Sequence, residues 1–280
     1  MSSLAVLALL GILLVVPGTS QERQAKLPKG FALGADLSFA NHAESQGWQF
    51  KENGKPKKAL DMFADHGMKW IRLRIFVEPV KEGLPNDLAY TLQMAKEAKQ
   101  RGMKLLLDFH YAQSWADPGK QPTPDAWKFL THEQLVQKVT DYTKETIAAF
   151  AAAKVMPEIV QIGNEVRPGM LWPKGRIPQN WDNFADYLKA GVKGVDQGRG
   201  RAKMPKIMIH NDEGGKVEGA RWFYDGLTQR NVPFDIIGFS YYPFWHGTFA
   251  DLKATLNDSA ERYGKEVMVV ETAFHWQPHD

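Results

Sequence analysis

Seven short apolar runs recur along the 280 residues, each followed by a longer stretch of helical periodicity, and this alternation constrains the fold most. The runs are "FALGADLS" (31–38), "KWIRLRIF" (69–76), "KLLLDFH" (104–110), "EIVQIGNE" (158–165), "KIMIHND" (206–212), "DIIGFSYY" (235–242) and "EVMVVET" (266–272). Between them lie amphipathic segments such as "DLAYTLQMAKEAKQRG", where Leu88, Leu92, Ala95 and Ala98 mark one face and Gly102 ends the helix. "HEQLVQKVTDYTKETIAAFAAA" and "TFADLKATLNDSAERYG" read the same way. Strands that are apolar nearly throughout and alternate with helices make a parallel sheet with its outer face covered. A spacing of about 30–50 residues per βα unit, with no linker, low-complexity tract or repeat, predicts a single (β/α)8 TIM barrel rather than two domains. Seven strands and six intervening helices are present, and the chain stops at Asp280, nine residues past Glu271. The expectation is therefore an α/β barrel truncated after strand seven.

Ahead of the barrel, "MSSLAVLALLGILLVVPGTSQERQ" has the form of an export signal. Its apolar stretch, Leu4 to Val16, fits an h-region of ~7–15 residues and is short for a membrane span of ~20. Pro17-Gly18 breaks the run, and small residues suit cleavage after Ser20. No Lys or Arg precedes it, which keeps an uncleaved anchor as the alternative. The absence of cysteine excludes disulfides, a thiol nucleophile, a thiolate metal site and a lipidated N-terminal Cys. Export without disulfides fits a bacterial secreted or periplasmic protein. The expected organisation is a signal peptide at 1–20, a linker at 21–30 and a catalytic barrel at 31–280 whose C-terminal part is missing. A net charge of +3, with 35 Lys and Arg spread among 32 Asp and Glu, gives no reason to expect a nucleic-acid partner.

In a barrel, function gathers at the C-terminal ends of the strands. Here those ends carry Asp36, Arg74, Asp108 with His110, Asn164 with Glu165, His210 with Asp212, Tyr241 with Tyr242, and Glu271. One such residue is an ordinary helix cap, but seven endings on one rim are not, and Arg, Tyr, His and Glu cap poorly. Glu165 and Glu271, on strands four and seven, face each other across the mouth. Glycoside hydrolysis needs two carboxyl groups flanking one bond, held in environments that push their pKa values apart. Asn164 is placed to hydrogen-bond a sugar 2-hydroxyl, Arg74 and Tyr242 to hold a carboxylate nucleophile, and His110 and His210 to offer neutral contacts to hydroxyls. The competing readings are a structural Glu–Arg74 network, core histidines, and a metal-dependent hydrolase built on the Asp/His pairs of "DFH" and "HND". The metal reading lacks a His-x-His pair and leaves Asn164-Glu165 unexplained. Nine Trp and eight Tyr serve either as sugar-stacking faces or as ordinary core.

From "GADLSFA" at Gly34 to "VVET" at Val269 the chain resembles glycoside hydrolase family 53, endo-β-1,4-galactanases that cut the galactan side chains of pectin. The specific segments are "DFHYAQSWADPGKQPTPDAW" (108–127), "QIGNEVRPGMLWP" (161–173), "PKIMIHND" (205–212) and "GFSYYPFWHGT" (238–248). The resemblance implies a retaining, endo-acting glycosidase on galactan or type I arabinogalactan, with Glu165 as acid/base and Glu271 as nucleophile. Retention sets the carboxyl groups ~5–5.5 Å apart. Arg74, His110, Asn164, His210, Asp212 and Tyr242 would line the sugar site, and Trp115, Trp172 and Trp245 would stack along the polysaccharide. No cofactor or metal, a monomer, and no membrane association after signal cleavage are expected. The chain departs from the family pattern at Phe76, where a Trp is usual, and at Ala112-Gln113, where Ser-Asp is usual. It also lacks the eighth strand, whose Trp floors the cleavage site. Such a barrel leaves two sheet edges exposed, either because the chain is a fragment or because a partner supplies the strand. It is expected to be poorly stable and weakly active. The alternative from another class is a catalytically impaired barrel that only binds galactan.

Overall fold

The computed structural model describes residues 30–274, so the export-signal segment and all but the last residue of the linker lie outside the described residues. The barrel strands are β1 (Gly34–Asp36), β2 (Trp70–Ile75), β3 (Lys104–Phe109), β4 (Ile159–Ile162), β5 (Lys206–Asn211), β6 (Ile236–Ser240) and β7 (Glu266–Glu271). They pair in chain order, all parallel. Among the described residues the sheet has these seven strands, with β1 and β7 as its outer members. Both outer strands are only half-buried, whereas β3 is buried along nearly its whole length. The helices are α1 (Ala40–Ser45), α2 (Ala59–Asp65), α3 (Leu88–Gln100), α4 (His132–Ala152), α5 (Trp181–Gly198), α6 (Val217–Gln229), α7 (Pro243–His246) and α8 (Phe249–Tyr263). A small hairpin, Lys51–Glu52 with Lys55–Pro56, decorates the connection from β1 to β2.

All seven expected strands form, each shorter than its apolar run. The α3 face is rotated from the expected one: Thr91, Met94, Ala95 and Ala98 are buried, while Leu88 and Leu92 pack at the margin. A capping box at Thr131 and Gln134 starts α4, and another at Thr248 and Asp251 starts α8. The backbones of α4 and α5 approach closely at Gly194, where a Cβ would lie 2.6 Å from the Thr140 carbonyl oxygen.

Side chains along a strand alternate between the two faces of the sheet. Ile71, Leu73 and Ile75 of β2 join the core between sheet and helices. The other face points inward. There Leu106, Ile159, Met208 and Ile236, with Trp70, Met268 and Val270 against them, form an apolar floor. One step further along each strand the interior becomes polar, with Arg72, Asp108, Gln161 and His210 all buried.

Strand β7 breaks the alternation at a decisive place. Phe239 pairs with Val269, but Ser240 pairs with Glu271, so β7 carries one extra residue there. Met268 and Val270 both face the floor, and strict alternation would send Glu271 outward to the helices. The bulge turns Glu271 inward, beside Ser240.

Candidate active site

β4 ends at Ile162, three residues short of Glu165. Gly163 follows at φ +83°, where a Cβ would meet Val166 Cγ1 at 2.5 Å, and Glu165 itself has φ +48°. A non-glycine residue in this region stores about 1–3 kcal/mol of strain. The surroundings hold it there. Gln121, from the long loop after β3, gives Nε2 hydrogen bonds to the carbonyls of Asn164 (2.8 Å) and Glu165 (3.2 Å). Asn164 Nδ2 donates to the Ala116 carbonyl at 2.8 Å, and its Oδ1 accepts from Arg72 Nη2 at 2.8 Å. Asn164 is thus buried and held at both ends of its amide.

Around Glu271 lies a network of buried charges. Arg72 Nη1 is 2.8 Å from Glu271 Oε1 and 2.9 Å from Asp36 Oδ2, while its Nη2 is 2.8 Å from Asp108 Oδ2. Its Nε also donates to Gln161 Oε1 at 3.2 Å. Arg74 is the outer partner, 2.8 Å from Asp36 Oδ2 and 3.3 Å from Glu271 Oε1, with its guanidinium 5.0 Å from the Trp115 ring centre. Tyr242 Oη donates to Glu271 Oε2 at 3.3 Å. Burial followed by the Glu271 charge raises the Tyr242 phenol to about 12, so it remains a donor. Burial alone would raise the Glu271 carboxyl, but the opposing charge of Arg72, reinforced by Arg74, holds it well below the ordinary carboxylate range.

Glu165 sits in the opposite setting. Burial first, and then the negative charge of Glu271, raise its carboxyl to about 7, against the hydrogen bond that Ser240 Oγ gives Oε1 at 2.6 Å. Glu271 is therefore ionised near neutral pH, while Glu165 keeps its proton well above the pH at which an ordinary carboxyl loses it.

Both histidines that sequence points to are fully buried and reach the mouth through other protein groups. His110 Nδ1 accepts from the Ala116 backbone N–H at 3.2 Å, and its Nε2 is 3.1 Å from Asp108 Oδ2. Burial lowers its pKa. His210 Nε2 is 2.9 Å from Ser240 Oγ, and burial pushes its pKa down to about 3. The Asp/His pairs do not converge on one point: Asp108 is taken by Arg72 and His110, and Asp212 by a bidentate pair with Arg167 at 2.8 and 3.0 Å. Among the described residues no three His, Asp or Glu side chains are grouped to hold a metal ion.

Glu165 and Glu271 open together on a cleft of about 270 Å³, which Asp117, Pro118, Asp212, Tyr242, Trp245 and His246 also line. Trp245 stands 70% exposed at its edge. Trp115 lies over Arg74 and stacks on Phe39 at 5.4 Å. Trp172 is not part of this cleft; Arg176 covers its ring at 4.4 Å and its Nε1 donates to the Pro168 carbonyl. Phe76 is buried with its ring 4.5 Å from His110, and Gln113 Oε1 accepts from the Asp125 N–H at 3.0 Å. Both departures from the family pattern therefore sit behind the site rather than in its opening. Sequence reasoning missed Arg72, Gln161, Gln121 and Ser240. Arg72 was within reach, since it lies two residues before Arg74 and so shares its inward face.

A barrel whose mouth holds two glutamates in opposed electrostatic settings has the architecture of a glycosidase. Comparison with known proteins agrees: residues 32–280 match Glycosyl hydrolase family 53. An arabinogalactan endo-β-1,4-galactanase A of Emericella nidulans is 39% identical over 246 residues, covering 85% of this chain and 69% of that protein. A fungal β-1,4-galactanase structure superposes with a TM-score of 0.81 at 36% identity, covering 86% of this chain and 73% of the other. The family 53 catalytic domain of Ignisphaera aggregans superposes with a TM-score of 0.85, also at 36% identity, covering 91% and 72%. The chain belongs to glycosyl hydrolase family 53 and is a glycosidase.

Proposed function

We propose that the protein is an exported endo-β-1,4-galactanase that hydrolyses galactan or type I arabinogalactan with retention of configuration. Glu271 is the nucleophile and Glu165 the acid/base. The observation that carries this reading is the opposed setting of the two carboxyl groups on one cleft, one held ionised by Arg72 and one kept protonated by burial and by its partner's charge. The names of the relatives support the choice of substrate. In the first step the Glu271 carboxylate attacks the anomeric carbon as the glycosidic C–O bond breaks. The proton of Glu165 passes to the leaving oxygen, leaving a galactosyl ester on Glu271. Water then attacks the same carbon, gives its proton to the Glu165 carboxylate and releases Glu271.

Asn164 Nδ2 gives one hydrogen to Ala116 and has its second for the sugar 2-hydroxyl. Arg74 and Tyr242 keep Glu271 aligned, and His110 and His210 act on the site through Asp108 and Ser240. Asp212, paired with Arg167, borders the cleft near Glu165. Trp115 and Trp245 offer stacking faces, and Trp172, outside the cleft and covered by Arg176, is assigned no contact at the cleavage point. Export rests on the N-terminal apolar run read above, which lies outside the described residues.

The test is release of reducing ends from β-1,4-galactan by the unaltered chain, with Glu165→Gln and Glu271→Gln beside it. Activity that survives in either variant removes the role assigned to that residue. Binding of galactan without hydrolysis by the unaltered chain favours the galactan-binding barrel instead.

A further inference from the structure

Ser240 closes β6, is fully buried, and stands opposite Glu271 at the bulge. Its Oγ lies 2.9 Å from His210 Nε2 and 2.6 Å from Glu165 Oε1. The direction of both hydrogen bonds follows from chemistry. The backbone N–H of Glu165 points at His210 Nδ1 at 3.3 Å, and a backbone N–H can only donate. Nδ1 is therefore the accepting nitrogen and Nε2 carries the hydrogen. Gln161 Nε2, 3.1 Å from Nδ1, favours the same tautomer; Asn164 Oδ1, 3.2 Å from Nδ1, is an acceptor already served by Arg72 Nη2 at 2.8 Å and does not need a hydrogen from the ring. Nε2–H then donates to Ser240 Oγ, and the one hydroxyl hydrogen is left for Glu165 Oε1. The path runs from the Glu165 backbone through His210 and Ser240 back to the Glu165 carboxyl, a closed ring that ties the side chain to its own main chain.

We propose that Ser240 is a positioning residue for Glu165, its hydroxyl aimed by His210 so that Oε1 stays an acceptor and Oε2 is left to carry the transferable proton. The inference rests on the acid/base reading of Glu165. A hydroxyl free to rotate could accept as well as donate, which would let the acid proton sit on Oε1 against the wall. The neutral, tautomer-fixed His210 removes that option. As Glu165 loses its proton to the leaving oxygen, the same hydroxyl stabilises the charge that develops. The other charged and titratable groups that act on Glu165 are Glu271 and Asp212, which oppose ionisation, Arg72 and Arg167, which favour it, and the neutral Tyr242. Among the described residues, Ser240 is the one side chain hydrogen-bonded to the Glu165 carboxyl.

The experiment is a carbon-13 titration of the Glu165 carboxyl in the full chain labelled at glutamate Cδ, with Glu165→Gln to assign the signal. Ser240→Ala should raise the midpoint by about one pH unit, the size expected for losing one hydrogen bond to a charged group. Ser240→Thr, which keeps the hydroxyl, should restore most of it. The alkaline limb of kcat/KM on galactan should move with the midpoint. A folded Ala variant whose midpoint and limb stay in place overturns the proposal, as does an equal shift in both variants. The titration needs no turnover, so the two readings separate. No shift with hydrolysis intact removes the Ser240 role alone, and a shift without hydrolysis upholds that role and counts against the galactanase.

Discussion

Replacing Arg72 by Met keeps the bulk of the side chain and removes its charge. The guanidinium is the nearest cation to Glu271, at 2.8 Å, and it also holds Asp108 and Asp36. Two unit charges about 4 Å apart at an effective dielectric of about 20 attract by roughly 4 kcal/mol, which is about three pH units of ionisation. Arg74 remains 3.3 Å away and offsets part of the loss, so the acid limb of kcat/KM should rise by about two pH units. Stability falls as well, because breaking a buried ionic network costs about 3–5 kcal/mol. At about 2–4 °C per kcal/mol for a domain of this size, Tm should drop by roughly 6–20 °C. The sign with pH is fixed by the direction of the Glu271 shift. Its native pKa lies below the ordinary 4.5, so its contribution is complete above that value and fades as pH falls through the native one. In Arg72→Met most of that depression is gone, so the native and unfolded states take up protons over a similar range, and the variant, less stable at pH 5, should lose Tm less steeply than the parent on moving from pH 5 to pH 3. The assay pairs reducing-end release against pH with thermal unfolding at each pH. A variant of lowered Tm whose acid limb has not moved would refute the reasoning, since Arg72 would then be structural only.

Other perturbations reach different parts of the site. Glu165 keeps its native proton up to about pH 7, whereas the unfolded chain releases it near 4.5, so the stability of the parent falls as pH rises between them. Glu165→Gln removes a slope of roughly 3 kcal/mol, and its Tm should gain on the parent between pH 4 and pH 8; a constant difference contradicts this. Gln121→Ala leaves the carbonyls of Asn164 and Glu165 without their side-chain donor, so kcat/KM on galactan should fall about tenfold and Tm should drop by roughly 2–12 °C, for about 1–3 kcal/mol of lost stability. Gly163→Ala sets a Cβ against Val166 at φ +83° and should cost about 1–3 kcal/mol in a denaturant titration.

The strands were legible because parallel strands buried on both faces read as unbroken apolar runs, and "KLLLDF" or "IVQI" leave little choice. The two glutamates were legible because neither capping nor packing accounts for them at strand ends. What lay between the ends was harder. Arg72 sits inside an apolar run, where the eye takes the charge at the strand's end, Arg74, although a period of two puts both on one face. Gln161 reads as an interruption of β4, and Ser240 is overshadowed by Tyr241-Tyr242. The bulge in β7 has no local signature, since "MVVET" alternates no differently from a regular strand, yet it decides where Glu271 points. His110 and His210 have the composition of sugar contacts, but only coordinates reveal that their nitrogens are spent on Asp108, Ala116 and Ser240.

The central claim, that Glu271 attacks and Glu165 transfers the proton, is tested most directly by chemical rescue. Glu271→Gly and Glu165→Gly are each incubated with azide and a dinitrophenyl β-1,4-galactobioside, and the products are read by proton NMR. With the nucleophile removed, azide attacks the anomeric carbon directly, and Glu271→Gly should yield the α-galactobiosyl azide. With the acid/base removed, azide displaces Glu271 from the covalent intermediate, and Glu165→Gly should yield the β-azide. The reverse pairing, or one anomer from both variants, contradicts the account.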